Sequence, residues 1–287
     1  MVRAFCPGHV SCIFQPVSSY DVMGTGSRGV GIRLSLGAEV EVVPRDDGEV
    51  VITMDGSPSE APVTRDVVGS MAPGRGFDVV IENGLPVSQG FGMSAAGAIA
   101  VGLCVAELTG QTRYDAFRAA HVAEVRRGGG LGDVSAIVGG RDVPIRTVAG
   151  IPPFGSVSTA GFTVPRLTLA VLGPVMETGH VLSDPETVAV IREAAMTTMD
   201  GFMADPTYEN LIVQSNLFSS ATGLESDRIA DVIERLSNRG YGAGMCMLGN
   251  SVFTDAPERE LWSMLGRGHV RTFECSSSHR EAIVRRE

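Results

Sequence analysis

The segment that decides the fold reads LPVSQGFGMSAAG at residues 85–97. A strand-like stretch precedes it at 77–82, and the apolar stretch that follows predicts a helix over about 94–108. Glycines let the backbone turn tightly and approach a ligand closely, and the unpaired N–H groups at a helix start suit phosphate. The pattern predicts a phosphate-binding loop, here named the central loop (residues 85–93). A plain glycine turn before a core helix explains the spacing alone equally well.

The segments around the central loop predict a mixed α+β chain in two lobes. Strand-like stretches lie at 30–43 and 49–54, with a hairpin turn expected between them at Asp46-Asp47-Gly48. A turn-like segment with two adjacent prolines marks the expected boundary between a first lobe (1–152) and a second (153–287). Further elements are expected as strands at 143–147, 167–172, 244–248, 251–254 and 270–274, and as helices at 113–126, 185–204, 207–221, 226–238 and 257–265.

Two carboxylates follow the central loop. Glu124 lies near the end of a predicted helix, and the loop GGGLGD at 128–133 then presents Asp133. A glutamate and an aspartate beside a phosphate site suit phosphoryl transfer, because one can hold Mg²⁺ and the other can accept or orient the proton of an attacking hydroxyl. Each also has a plain structural explanation. Glu124 fits a solvated helix acid, and Asp133 fits a helix N-cap.

Three weaker patterns lie elsewhere in the chain. A Pro-Gly turn in the stretch PGHVS at 7–11 is expected to interrupt an N-terminal strand and to expose His9. The glycine-rich stretch at 24–31 presents Arg28, whose guanidinium suits a bidentate pair with a carboxylate. Alternating glycines at 240–249 indicate that something packs closely against this backbone. A structural histidine and a surface arginine are the ordinary alternatives for these two side chains.

Composition excludes several classes of protein. All 23 basic residues are arginine, which excludes a P-loop nucleoside triphosphatase, a protein kinase and a Schiff-base enzyme, since each needs a lysine. A net charge of -10 argues against a nonspecific nucleic-acid partner. The longest apolar run, at 95–106, is too short to cross a membrane. Without a signal-peptide pattern or CxxC pairs, we expect a cytoplasmic protein with reduced cysteines.

Taken in order, these patterns resemble the motifs of the GHMP kinase superfamily. The superfamily has an N-terminal Pro-Gly turn, a central glycine loop and a C-terminal glycine-rich strand, which correspond to Pro7-Gly8, Pro86 to Ala96 and Gly242 to Gly249. The resemblance implies an N-terminal lobe like ribosomal protein S5, a ferredoxin-like C-terminal lobe, and the use of ATP and Mg²⁺. Within the superfamily, the archaeal pantoate kinases are similar in the stretches PGHVS at 7–11, GSRGVG at 26–31 and GLGDV at 130–134.

The resemblance implies ATP-dependent phosphorylation of pantoate to 4-phosphopantoate, on the archaeal route to coenzyme A, and family habit suggests a homodimer. It implies Asp133 as the catalytic residue and Ser94 with Glu124 as the metal ligands. The residues implied to bind ATP are Gly90, Phe91, Gly92, Met93, Ser94, Ala95 and Ala96. Those implied to bind the substrate are His9, Ser27, Arg28, Gly132, Gly242 and Gly244.

The chain departs from the superfamily pattern at two positions. Met93 replaces the usual first serine of the central motif, and His9 replaces the lysine that follows Pro-Gly in mevalonate kinase. Loss of one such electrostatic donor costs roughly 100- to 1000-fold in rate, so His9, an arginine or Mg²⁺ is expected to compensate.

Three other functions remain open at this stage. The nearest is a GHMP kinase that acts on shikimate or homoserine. A non-catalytic metabolite sensor on the same fold is disfavoured, because a sensor needs neither Asp133 nor Glu124. A Rossmann-type oxidoreductase is more distant, because a second helix rather than a second strand follows the helix after the central loop.

Overall fold

The computed structural model describes residues 1–176 and 178–285, and Glu177, Arg286 and Glu287 lie outside the described residues. The strands are β1 (Val2–Val17), β2 (Gly26–Arg45), β3 (Val50–Met54), β4 (Ser57–Pro58), β5 (Gly76–Asn83), β6 (Pro144–Val148), β7 (Ser156–Thr159), β8 (Leu167–Val171), β9 (Ala243–Met245), β10 (Ser251–Thr254), β11 (Arg271–Cys275) and β12 (Ile283–Arg285). The α-helices are α1 (Pro62–Met71), α2 (Met93–Thr109), α3 (Arg113–Arg126), α4 (Asp133–Gly139), α5 (Thr178–Ser183), α6 (Pro185–Ala204), α7 (Tyr208–Thr222), α8 (Asp227–Ser237) and α9 (Glu258–Leu265). In the described ranges, no helix combines the length and the apolar character that a membrane span requires.

The larger sheet is built on the long antiparallel pair of β1 and β2. Its strand order is β12-β1-β2-β5-β3-β4, and β6 joins β2 while β7 joins β6. Helix α2 packs on β1 and β2 and is buried almost all round from Met93 to Ala106, as its uniformly apolar sequence requires. The central loop therefore ends at a helix that is fixed in the core.

The smaller sheet is antiparallel, with the order β11-β8-β10-β9. Helices α7 and α8 pack on β9, and α9 packs on β11. One mixed sheet and one antiparallel sheet, with clustered helices, agree with the predicted α+β class. The division into lobes 1–152 and 153–287 stays a prediction. Strands β7 and β12 follow residue 152 in the chain and belong to the larger sheet.

Two local predictions are wrong. The expected hairpin at Asp46-Asp47-Gly48 does not form, because β5 lies between β2 and β3 and pairs parallel with β3. The Pro-Gly pair does not interrupt the first strand either. Strand β1 continues through it with a shift of register between Pro7 and His9, and His9 is fully buried.

Candidate active site

The central loop needs glycine at two positions. Gly90 and Gly92 both have positive φ, at 76° and 64°. A Cβ atom on Gly90 would lie 2.8 Å from the carbonyl oxygen of Cys246, and one on Gly92 would lie 2.9 Å from that of His9. The central loop therefore packs tightly between β1 and the segment that follows β9. It ends at the N-terminus of α2.

A short hydrogen bond links the start of α2 to α3. Ser94 lies in the first turn of α2 and its Oγ donates to Glu124 Oε1 at 2.5 Å. Glu124 is only 2% exposed, so it is not a solvated surface acid. Burial raises its pKa to about 7, although hydrogen bonds from Ser94 and the Gly130 N–H oppose the shift. Arg127, which could have paired with Glu124, instead binds Asp66 at 2.6 and 2.8 Å.

A second polar chain runs through Asp133, His9 and Arg146. Asp133 is the first residue of α4, whose N-cap is Gly132, so Asp133 is not itself the cap. Its Oδ1 lies 2.7 Å from His9 Nδ1. The Nε2 atom of His9 lies 3.5 Å from an Nη atom of Arg146. Burial lowers the pKa of His9, and the hydrogen bond to Asp133 only partly offsets this effect.

Arg146 is a functional candidate that the sequence analysis missed. It lies on β6 and is completely buried. Its contacts to Ser11 Oγ and to the Ile13 carbonyl are long, at 3.4 and 3.5 Å, and within the described part of the chain its Nε has no hydrogen-bond partner. Burial lowers its pKa to about 10, which leaves the guanidinium charged at neutral pH. The only sequence signal was an arginine inside a short apolar strand.

The guanidinium of Arg146 lies directly behind a glycine. A Cβ atom on Gly132 would lie 2.7 Å from Arg146 Nε and would also collide with Ser27 Oγ. Gly132 and Ser27 both face the same cavity. The positive charge of a buried arginine therefore lies next to two residues of the cavity wall.

Most of the predicted site residues line one cavity of about 360 Å³, here named the main cavity. The segment after β9 contributes Met247 and Leu248, and α5 contributes Leu182. Predicted residues that line it are Ser27, Gly90, Phe91, Gly92, Met93, Ser94, Glu124, Gly132 and Asp133.

The remaining predicted residues lie elsewhere. Ala95 and Ala96 are buried within α2, and His9 lies behind Asp133. Arg28 is exposed on β2. The Gly242 N–H donates to Asp255 Oδ1 at 2.9 Å, and Gly244 packs against the ring of Phe253. The C-terminal glycine motif reaches the main cavity through Met247 and Leu248 instead.

An apolar cavity of about 270 Å³, the side cavity, adjoins the main cavity. The two cavities share Pro62, Val63, Val87, Met93 and Ser94. The residues that only the side cavity has are Met54, Ser59, Ala61, Thr64, Ile81, Asn83 and Gly97. An apolar slot with a few amide and hydroxyl groups, next to a helix N-terminus, suits a planar base attached to phosphates.

The donor atoms around Ser94 fit a magnesium ion held jointly with phosphate. Across residues 1–176 and 178–285, no group of three or more His, Cys, Asp or Glu side chains forms a metal cage. Ser94 and Glu124 provide hard oxygen donors that are in direct contact. Mg²⁺ prefers oxygen ligands and is usually bound by one or two carboxylates together with substrate phosphates.

Replacing Glu124 by Gln should stabilise the protein without nucleotide and metal, and the gain should depend on pH. Because burial raises the pKa of Glu124 from 4.5 to about 7, the folded protein keeps a proton that the unfolded chain has lost. This group therefore lowers stability progressively from pH 4.5 to 7, by on the order of 3 kcal/mol above pH 7. Glutamine does not ionise, so melting curves should show a rise of several degrees at pH 8 and almost none at pH 4.5.

The matched control for this prediction is Glu193→Gln, on the exposed face of α6. It removes the same charge without changing a buried group, and its melting temperature should stay close to that of the wild type at both pH values. An equal shift for Glu124→Gln at pH 4.5 and 8 would contradict the assignment of the effect to burial of the carboxyl group.

The comparisons with known proteins agree with this geometry. The family model for the GHMP kinases N terminal domain matches residues 63–141. A pantoate kinase of Methanospirillum hungatei is 32% identical over 261 residues, covering 88% of this chain and 86% of the relative. A pantoate kinase of Thermococcus kodakarensis is 28% identical over 280 residues, covering 91% and 89%.

A solved structure described as a phosphotransferase related to the CoA biosynthesis pathway has a TM-score of 0.88. It is 25% identical and covers 99% of this chain, which covers 98% of that structure. The match over both whole chains confirms the predicted two-lobed α+β fold, and the sequence relatives confirm the predicted superfamily. The chain therefore belongs to the GHMP kinases and, within them, to the pantoate kinase family.

Proposed function

We propose that this protein transfers the γ-phosphoryl group of ATP to the 4-hydroxyl of pantoate and so makes 4-phosphopantoate for coenzyme A synthesis. The relatives named pantoate kinase support the substrate. The observation that carries the reaction type is the arrangement of Ser94, Glu124 and Asp133 around one cavity at a helix N-terminus. A phosphate site, oxygen donors for a metal and a carboxylate base are the parts that phosphoryl transfer needs.

The nucleotide is proposed to bind with its phosphates over residues 90–96. The unpaired N–H groups of the first turn of α2 point to this place and favour negative charge. The side cavity would take the base, because it adjoins the main cavity at Met93 and Ser94. Ser94 and Glu124 would hold Mg²⁺, which when bound neutralises charge on the β- and γ-phosphate oxygens.

Asp133 is proposed to orient the 4-hydroxyl and to accept its proton as the hydroxyl oxygen attacks the γ-phosphorus. The bond from the γ-phosphorus to the bridging oxygen breaks, and ADP carries that electron pair away. Asp133 faces the main cavity, and one of its carboxylate oxygens is already held by His9. The other oxygen lies beside Gly130, which also lines the main cavity, and is proposed to contact the substrate hydroxyl.

Arg146 and Ser27 are proposed to attract the carboxylate of pantoate. Arg146 is a buried cation whose Nε lacks a partner among the described residues, and Ser27 lies beside it at the cavity wall. A buried guanidinium that lacks a close carboxylate favours an anionic ligand nearby. The charge of Arg146 would also compensate for the lysine that mevalonate kinase has after its Pro-Gly turn. A buried charge acts strongly on groups in the main cavity, because the surrounding protein has a low dielectric constant.

The experiment that tests this function is a substrate panel. Purified protein is incubated with MgATP and, separately, with pantoate, shikimate, homoserine or mevalonate, and ADP release is measured. We expect turnover with pantoate and rates at least 100-fold lower with the others, because the relatives that support the substrate are pantoate kinases. Turnover with another compound of the panel and none with pantoate would overturn the proposed substrate. The proposed reaction type, phosphoryl transfer from ATP, would still stand.

Origin, location and assembly are proposals that rest on the family and on the cysteines. We propose an archaeal origin, because the curated relatives named above come from archaea. We also propose a cytoplasmic location and a homodimer. The five cysteines are all free, which supports a reducing compartment.

A further inference from the structure

His9 occupies a closed slot between the central loop and the wall of the main cavity. Its side chain is fully buried. Its backbone N–H donates to the Phe91 carbonyl at 3.0 Å. A side chain on Gly31 would collide with the Nε2 edge of the imidazole, and a Cβ on Gly92 would lie 2.9 Å from the His9 carbonyl oxygen. The backbone and both neighbouring glycines therefore fix the ring relative to the central loop.

The two nitrogen atoms of the ring face partners of opposite kind. Nε2 faces Arg146 at 3.5 Å, and a guanidinium can only donate hydrogen bonds. Nδ1 lies 2.7 Å from Asp133 Oδ1, which as a carboxylate oxygen accepts. The compatible state is a neutral ring with its hydrogen on Nδ1 and a lone pair on Nε2. A charged ring would direct an N–H at the guanidinium and add a second buried positive charge.

We propose that His9 is a positioning residue, which holds Asp133 at a fixed distance from the central loop through a neutral imidazole with its hydrogen on Nδ1. This role rests on the proposed phosphoryl transfer, in which Asp133 and the phosphates must meet across the main cavity. One residue carries both connections, because the His9 backbone binds Phe91 while its ring binds Asp133. It replaces the lysine of mevalonate kinase by a different means, since a neutral ring orients the carboxylate and the charge lies on Arg146.

The position of His9 argues against a direct contact with the substrate. Asp133, Ser27 and Gly132 face the main cavity, whereas the His9 side chain lies behind Asp133 and has no exposed surface. A change at His9 should therefore alter the rate of the chemical step and leave the affinities for pantoate and MgATP nearly unchanged. A misplacement of about 1 Å at a reacting group costs roughly 100-fold in rate.

A direct test is nitrogen-15 NMR of the histidine rings in the protein without ligands. The chain has five histidines, and the His9 signals are those absent from the His9→Asn variant. We expect the neutral form with hydrogen on Nδ1 throughout pH 6 to 8. The charged groups that act on this ring are Asp133, Arg146 and Arg33. A ring that carries its hydrogen on Nε2, or one that becomes protonated in this range, would overturn the proposal.

Two substitutions test the role in catalysis. The asparagine side chain places an N–H donor near the position of the imidazole Nδ1. The leucine side chain fills a similar volume but has no hydrogen-bond donor. We expect His9→Leu to lower kcat about 100-fold and His9→Asn to lower it less than tenfold, with both KM values within threefold of the wild type. If leucine prevents folding, His9→Gln replaces it, because its amide reaches toward Nε2 instead of Nδ1.

Equal kcat values for the asparagine and leucine (or glutamine) variants would refute the positioning role. So would a large rise in the KM for pantoate with an unchanged kcat, since that result indicates a substrate contact. The NMR measurement needs no substrate. If the wild type fails to phosphorylate pantoate, the proposed function fails, and the ring state of His9 is still decided.

Discussion

Replacing Asp133 by Asn should lower kcat with pantoate and MgATP by roughly 1000-fold. The amide has nearly the same shape as the carboxylate but cannot accept the proton of the 4-hydroxyl. Its oxygen would face the Nδ1–H of His9, so its NH₂ group would point into the main cavity, where the substrate hydroxyl lies in our proposal. Nucleotide binding should change little, because the central loop and the Ser94–Glu124 pair are not altered.

Steady-state ADP release and calorimetric binding of a non-hydrolysable ATP analogue with Mg²⁺ check this result. The control is Asp46→Asn, which makes the same change at an exposed position after β2. Its kcat should equal that of the wild type. An Asp133→Asn protein that retains more than a tenth of the wild-type kcat would rule out Asp133 as the base.

The second large effect is expected at Arg146. Arg146→Met should reduce kcat/KM for pantoate by at least 100-fold, because it removes the buried cation that lies next to Gly132 and Ser27 at the wall of the main cavity. It should leave the melting temperature unchanged or raise it. A buried cation with long hydrogen bonds of 3.4 to 3.5 Å is poorly compensated, and an apolar side chain of similar volume often replaces such a group without loss of stability.

Arg28→Met is the matched control for this effect. Arg28 lies on the neighbouring strand and is among the residues that the resemblance implies for substrate binding, but its side chain is exposed. We expect its kcat/KM to stay within threefold of the wild type. A large loss at Arg28 together with a small one at Arg146 would reverse the two assignments.

The predictions that succeeded depended on local patterns. The turn of the central loop and the bounds of α2 were predictable within one or two residues, because glycines favour a turn and the long apolar run after them favours a buried helix. Glu124 and Asp133 could be singled out because a short glycine loop separates them. Both line the main cavity, and their roles in metal binding and catalysis stay predictions.

The parts that the sequence did not reveal depend on pairing between distant segments. Strand β6 pairs with β2, which brings Arg146 behind Gly132 and beside His9. No local pattern around residue 146 contains that information. The wrong hairpin prediction has the same origin, because β5 arrives from beyond α1 and inserts between β2 and β3. Alternation along a strand predicts which side chains are buried, but it does not identify the neighbouring strand.

The close backbone contact between the central loop and the segment after β9, here named the joint, has an evolutionary consequence. The two segments approach each other through backbone atoms, since Gly90 faces the carbonyls of Cys246 and Met247, and Gly249 faces the backbone of Gln89. A side chain at either glycine would collide with backbone atoms, so we expect related sequences to keep both glycines. Relatives that keep only about three residues in ten can retain the same joint, and chimeras that combine halves of such relatives should still assemble the site if both glycines are present.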